Sequence, residues 1–342
     1  MAKIKRLGMF DVLKVQKMLS MLSENKPPSF SKFVLLFPFN LLQNILPLKL
    51  RKLPEAFVST ENNQVNGMIS IQAERGNAYK WNINQLFLDK NSYPAGRQLV
   101  DFILAKYGAM GANTFSVVVE DSHEELIDLF SKGCGFRLCS HEGLWKMNKI
   151  NLKEPSVGTN IIRPFKNSDA KEVCELYNDS IYPHFRYSLS RAKAEFYDRF
   201  FQGFSSTSSF KYVLEDNNTK KIKAYAEIQT QDNVNYLLDV ILYQAYEEMC
   251  SDMINFLISQ ILRRKKDFNL FVQSRKYITS SKKLEEYMKE NEFSQVQSRM
   301  VLVKDFFKTI KQEEKIAKPA IVFSEIKGRP AFNSSADKSL LF

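Results

Sequence analysis

The chain has 342 residues and a mass of 39.7 kDa, a length suited to about two domains of ordinary size. Its 44% hydrophobic and 25% charged content excludes wholesale disorder. Cys134, Cys139, Cys174 and Cys250 form no CxxC pair and only three histidines are present (His123, His141, His184), so a disulfide scaffold is excluded and no metal site is expected.

The net charge is +11 and is spread evenly. The first 150 residues carry 19 basic and 13 acidic side chains, leaving 30 and 25 for the rest. No basic run stands out, so a nucleic-acid partner is not expected. A basic surface does suit an anionic ligand such as a phosphorylated cofactor.

The elements follow in chain order. Residues 3–7 read as a short strand, followed by an acidic helix start at Asp11. Val12, Leu13, Val15, Met18 and Leu19 then recur at helical spacing. The first ten residues lack the sustained apolar run of a signal peptide. Residues 33–50 are apolar but interrupted by Pro38, Asn40, Gln43, Asn44 and Pro47, so two short helices around a proline are expected rather than a transmembrane span. Together with unpaired cysteines this places the chain in the cytoplasm. Residues 56–60 and 65–73 read as a hairpin across Glu61-Asn62-Asn63-Gln64. A long strand, 81–88, comes next. Leu99, Val100, Ile103 and Leu104 mark an amphipathic helix, residues 114–120 a strand, and a last helix and closing strand complete the series.

The same series then repeats. Ile71 and Gln72 match Ile228 and Gln229, Ile127 matches Leu284, Phe130 matches Tyr287 and Phe136 matches Phe293, all at an offset of 157. Strands are expected at 161–164, 212–214, 222–229, 236–242 and 269–273, with a helix start at Asp169 and a helix through Met253, Ile254, Leu257 and Ile258. A period this long is a duplicated domain, not a solenoid repeat. The expected organisation is a first domain over 1–148, a linker over 149–160 containing Pro155 and Gly158, a second domain over 161–305, and a tail over 306–342 without a counterpart.

Strand, helices, hairpin, strand, loop, helix, strand, helix, strand resembles the order of the GCN5-related N-acetyltransferase (GNAT) family. Residues 81–136, WNINQLFLDKNSYPAGRQLVDFILAKYGAMGANTFSVVVEDSHEELIDLFSKGCGF, are similar to that family's central strand, pyrophosphate loop, helix, strand and aromatic ending. The resemblance covers residues 3–147 and, more weakly, 160–304. It implies an α/β (mixed α+β sheet) fold of two GNAT-like domains in tandem, and transfer of an acyl group from acetyl-CoA or another acyl-CoA to an amine on a small molecule or peptide. A non-catalytic acyl-CoA sensor or scaffold of the same fold is the alternative. Transfer from aminoacyl-tRNA is a third reading, without a clustered basic helix to support it.

The chemistry assigns parts to this frame. Pyrophosphate sits well on free N–H groups at a helix start, where glycine permits close approach. The loop Asn91-Ser92-Tyr93-Pro94-Ala95-Gly96 resembles the family's Gln/Arg-x-x-Gly-x-Gly/Ala, with Gly96 in place, Pro94 for the middle glycine and Arg97 just beyond. The equivalent stretch 244–250 has no glycine and carries Glu247 and Glu248, so the second half is expected to lack a cofactor site. The oxyanion donor implied by the resemblance is a backbone N–H at Phe87-Leu88. The strand 80–88 contains no acid for a base; Asp89 stands at its end, and Glu120, Asp121 and His123 are the alternatives. His123 reads equally as a solvated helix start. The family's thiolate-protonating tyrosine is Phe130 in the first half and Tyr287 in the second, where it reads equally as a half-buried helix aromatic. The cofactor-binding candidates are therefore Phe87, Leu88, Asn91, Ser92, Tyr93, Ala95, Gly96 and Arg97. The apolar segment 30–52 is expected to roof the acceptor site and to favour a partly hydrophobic acceptor.

Overall fold

The computed structural model describes residues 3–8, 11, 14–15, 54–62, 64–89, 93–149, 161–198 and 208–306. Twelve strands occupy these residues: β1 Lys3–Arg6, β2 Glu55–Glu61, β3 Gln64–Glu74, β4 Asn77–Leu88, β5 Thr114–Glu120, β6 Arg137–Met147, β7 Ile161–Pro164, β8 Ser208–Glu215, β9 Ile222–Thr230, β10 Asn235–Leu242, β11 Asn269–Arg275 and β12 Phe293–Asp305. The principal helices are α1 Tyr93–Ala109, α2 Glu124–Asp128, α3 Ala170–Ser180, α4 Cys250–Leu262 and α5 Ser281–Glu290. Element type and order follow the duplicated series, including both polar-turn hairpins. Val12, Leu13, Met18 and Leu19 of the first expected helix, the two short helices expected in 33–50, linker residues 150–160 and tail residues 307–342 lie outside the described residues.

All twelve strands form one sheet, ordered β1-β2-β3-β4-β5-β12-β6-β11-β10-β9-β8-β7. The sequence expects a closing strand in each half, and both exist. Each one, however, closes the other half. β12 lies between β5 and β6, and β6 lies between β12 and β11. The exchange is antiparallel throughout: β12 pairs with β5 from Asp305↔Thr114 to Arg299↔Glu120, and β6 pairs with β11 from Lys146↔Phe271 to Glu142↔Arg275.

Packing follows from alternation. On β4, Trp81 and Ile83 turn to one face while Asn82 and Asn84 turn away. The apolar face meets α1, whose Leu99, Val100, Ile103 and Tyr107 are fully buried against Ile69, Ile71, Phe115 and Val117. Each such side chain contributes roughly 1.5–3 kcal/mol of burial. The second half repeats this with Met253, Ile254, Leu257 and Ile258 of α4 on Leu238, Val240, Leu270 and Val272. Exchange puts foreign side chains into each core: Leu302 into the first, Trp145 and Met147 into the second.

A further device recurs. Lys5 on β1 holds Asp11 at 2.8 Å, and Asp11 accepts the Gly8 N–H. In the second half Arg163 on β7 holds Asp169 at 2.7 Å, and Asp169 accepts the Lys166 N–H. Both acids sit at helix starts, where negative charge meets the positive end of the dipole.

Candidate functional site

β4 and β5 run parallel and pair only from Lys80↔Thr114 to Ile83↔Val117. Beyond that they part. β4 continues to Leu88 against β3, and β5 continues to Glu120 against β12. The parting coincides with a bulge: Ser70 pairs with Gln85 while Ile71 pairs with Ile83, so Asn84 is the extra residue.

The ladder then fixes which N–H groups face the cleft. Asp89 N–H donates to the Asn66 carbonyl at 3.1 Å. Hydrogen-bonded and non-bonded pairs alternate in an antiparallel ladder, so Met68↔Phe87 and Ser70↔Gln85 are bonded pairs, whereas Gly67↔Leu88 and Ile69↔Leu86 are not. The N–H groups of Leu86 and Leu88 therefore point away from β3, into the space β5 has left. Of the sequence candidates, Leu88 turns its amide into this space and Phe87 spends its amide on β3. Leu86 has no signal in sequence, because a bulge shifts register without marking residue type.

Above the cleft stands the start of α1. Tyr93, Ala95 and Gly96 carry its first N–H groups and Pro94 carries none; no acid lies in this turn. Asn91 and Ser92 lie outside the described residues. Arg97 is exposed and pairs only loosely with Asp101, at 3.7 Å. Tyr93 leans over the turn Leu129–Gly133: a Cβ at Gly133 would lie 2.7 Å from its hydroxyl oxygen.

Gly96 has a second reason to be glycine. A Cβ there would lie 2.7 Å from Leu88 Cδ1 and 2.9 Å from Leu129 Cδ2. The helix thus sits directly on the central strand. Replacing Gly96 by leucine is expected to destabilise the fold by about 1–3 kcal/mol, since Leu129 is fully buried and Leu88 packs against the core. A urea titration showing an unchanged midpoint would refute that packing role.

The acid–base candidates are placed as follows. Glu120 ends β5 opposite Arg299, and its carbonyl accepts the His123 N–H at 2.9 Å. The His123 carbonyl in turn accepts N–H groups of Leu126 and Ile127, so this residue starts α2 through its backbone, not its side chain. Glu120 and His123 thus stand together at the outer end of the cleft, whereas Tyr287 belongs to the second half's core. It is 8% exposed, its hydroxyl donates to Asn255 Oδ1 at 3.3 Å, and burial pushes its pKa up to about 12. At the matching position in the first half, Phe130 packs edge-on against Phe136 at 5.2 Å.

In the second half β10 and β11 also part, beyond Asp239↔Gln273, but the gap is bridged. β9 and β10 pair without a bulge from Thr230↔Tyr236 to Ala224↔Leu242. Where β10 and β11 part, Arg275 makes a two-pronged hydrogen-bonded ion pair with Asp239, its Nη2 at 2.7 Å from Oδ2. Burial alone would raise the Asp239 pKa, but the Arg275 guanidinium outweighs it and holds the carboxyl below its usual range. The cavity left beside Arg275 is about 10 Å³, room for a single water. The turn before α4 carries Glu247 and Glu248, the latter 3.3 Å from Lys283. A larger open groove of about 440 Å³ lies at the end of β10, lined by Asp179, Ser180, Arg186, Tyr243, Gln244, Ala245 and Thr279.

Among the described residues there is no group of three metal-ligating side chains and no helix long and apolar enough to cross a membrane. All four cysteines are free. Burial pushes Cys134 up to about 11 and Cys250 up to about 12, which leaves both thiols inert near neutral pH.

No protein-family model and no curated protein matches the chain. Solved structures do. A tandem GNAT protein from the clavulanic acid biosynthesis pathway superposes with a TM-score of 0.60 at 10% identity, covering 89% of this chain and 98% of that one. A GCN5-related N-acetyltransferase from Sphaerobacter thermophilus gives 0.58 at 10% identity, with 89% and 95% covered. A conserved Enterococcus faecalis protein described as a probable N-acyltransferase gives 0.51 at 10% identity, with 89% and 72% covered. With the parted central strands, the bulge and the duplicated element order, these likenesses show that the chain has the fold of the GCN5-related N-acetyltransferases, arranged in tandem.

Proposed function

We propose that the protein transfers an acyl group from acyl-CoA to an amine, with the thioester bound by the first half. The observation that carries this is the bulged parting of β4 from β5, which turns the Leu86 and Leu88 N–H groups into an open cleft beneath an acid-free helix start. The thioester carbonyl would accept a hydrogen bond from one of these amides. The amine, stripped of its proton by Glu120 or His123 directly or through water, attacks the carbonyl carbon. Negative charge gathers on the carbonyl oxygen, where fixed backbone donors stabilise it most. The intermediate collapses by breaking the C–S bond, and the thiolate takes its proton from solvent, since Phe130 has none to give.

The second half serves as a wall of the acceptor site rather than as a second catalyst. Its parting point is bridged by Arg275 and Asp239, and Glu247 and Glu248 stand where pyrophosphate would lie. We take the domain limits to be 1–148 and 161–305 and, on the four free thiols, assign the cytoplasm.

The non-catalytic alternative, an acyl-CoA sensor, is favoured by Phe130. Both readings expect binding, and only one expects turnover. Acetyl-CoA and longer acyl-CoAs at about 100 times Kd should add roughly 2.7 kcal/mol of stability. Arg97→Glu is the suitable control: the side chain is 59% exposed and poorly paired, so the fold should tolerate it while the new charge repels pyrophosphate. We expect at least a tenfold weaker Kd, about 1.4 kcal/mol. No thermal shift with any CoA ester would overturn acyl-CoA binding. A shift without free-thiol release across an amine panel would leave the sensor.

A further inference from the structure

The face of the first half opposite α1 has an unusual floor. β4 is a central strand, yet Asn82 and Asn84 on this face are exposed. Gln72 of β3 and Ser116 and Val118 of β5 continue the same surface around the two asparagines. Asn84 Nδ2 approaches Gln72 Oε1 at 3.5 Å, and the Ser116 hydroxyl donates to Asn82 Oδ1. At Ser70, on the same face, the surface is covered: this residue is fully buried and its hydroxyl has no hydrogen-bond partner among the described residues.

Among the described residues the floor itself is uncharged, and charge stands at its two ends in compensated form. At the start of β4, Lys80 Nζ donates to the Ser190 carbonyl at 2.8 Å and hydroxyl at 3.0 Å, beside Glu74, which accepts the Ala192 N–H at 2.6 Å. Segment 190–192 belongs to the second half, so that half walls the groove. At the other end Glu120 faces Arg299 across the ladder. Asn84 is also the bulge residue, two positions before the cleft-facing Leu86 amide.

We propose that the acceptor is a polyhydroxylated primary amine of the amino-sugar type, lying across Asn82, Asn84 and Gln72 with its amino group towards the Leu86 amide. This rests on the acyl-transfer reading of the same cleft. Side-chain amides carry donor and acceptor together and match vicinal hydroxyl groups. A polyamine would find no anionic floor among the described residues, and an apolar amine would strip water from amides without replacing its hydrogen bonds.

The test uses the full chain and three probes, D-glucosamine, spermidine and phenethylamine, on wild type and on Asn82→Leu/Asn84→Leu. Both substituted positions are exposed, so the fold should stand, and a urea midpoint verifies it. Saturation-transfer NMR without acyl-CoA should show glucosamine bound to wild type and weakened at least about tenfold in the double variant. With acetyl-CoA, thiol release should show KM for glucosamine raised by a similar factor and kcat changed much less. Glucosamine binding that the double variant abolishes, in the absence of any thiol release, would uphold the ligand class and remove acyl transfer. Tighter binding of spermidine or phenethylamine, glucosamine binding indifferent to the two substitutions, or no glucosamine binding would overturn the proposal.

Discussion

Cutting the chain between residues 150 and 160 is expected to leave a particle that does not come apart under native conditions. β6 is hydrogen-bonded to β11 on one side and β12 on the other, and both partners lie after the cut. β12 in turn is bonded to β5, before it. Trp145 and Met147 sit in the second half's core, and Leu302 sits in the first. A nicked protein with an engineered protease site should therefore elute from a sizing column as one species. Its stability should depend on concentration, because the linker no longer supplies an effective one: each tenfold dilution should cost about 1.4 kcal/mol. The fragment 1–149 alone should fail to unfold cooperatively. It keeps β6 without either neighbour and exposes the edge of β5, an open template for aggregation. Adding the fragment 161–306 should restore one cooperative transition. A fragment 1–149 that melts cooperatively as a monomer would show that the exchange is not needed for folding.

That exchange marks the limit of what the residues alone reveal. Alternation of apolar and polar side chains exposes every strand of the two hairpins, and the 3.6 spacing of Leu99, Val100, Ile103 and Leu104 exposes α1, because these are local consequences of burial on one face. Which edge a strand joins is not local. Residues 137–147 would carry the same pattern whether they closed their own half or the other. The cleft shows a similar division. Gly96 is visible as a position with special backbone needs, but its contact with Leu88 and Leu129 comes from a helix lying on a strand, not from the loop motif. The bulge at Asn84 is invisible, since Asn84-Gln85 is merely two polar residues in succession until β3 pairs around them. Phe130 is legible as a missing acid, because residue type alone decides it. The charges that bridge the second half's strands look like any polar strand residues until Asp239 and Arg275 meet.

Removing one member of that bridge should produce the largest single-residue loss of stability in the chain. Asp239 and Arg275 are 9% and 7% exposed, and Arg275 also lies 3.6 Å from Glu142. Glu142 is already shared: Gln273 donates to it at 2.8 Å, the Tyr277 hydroxyl donates at 3.2 Å, and Arg299 is 3.3 Å away. In Asp239→Ala it cannot take over Arg275 without abandoning these partners. The expected cost is about 3–5 kcal/mol, most of it the burden of an uncompensated buried guanidinium. Asp239→Leu/Arg275→Met should recover most of it, because two apolar side chains of similar volume need no partners. The sign with pH follows from the depressed Asp239 pKa. The bridge's contribution is complete above the unfolded carboxylate value of about 3.9 and disappears as pH falls through the lower folded value. Urea midpoints should thus separate wild type from Asp239→Ala widely at neutral pH and converge in acid, while the double variant shows no such component. Equal midpoints at neutral pH would mean that solvent reaches the pair. In the second half the bridge spans the place that corresponds to the parting of β4 and β5 in the first. A double variant that regains stability yet still binds no acyl-CoA through its second half would show that closing this cleft takes more than the bridge: β10 already turns the Val240 and Leu242 N–H groups away from β9, and Glu247 and Glu248 in the turn before α4 remain.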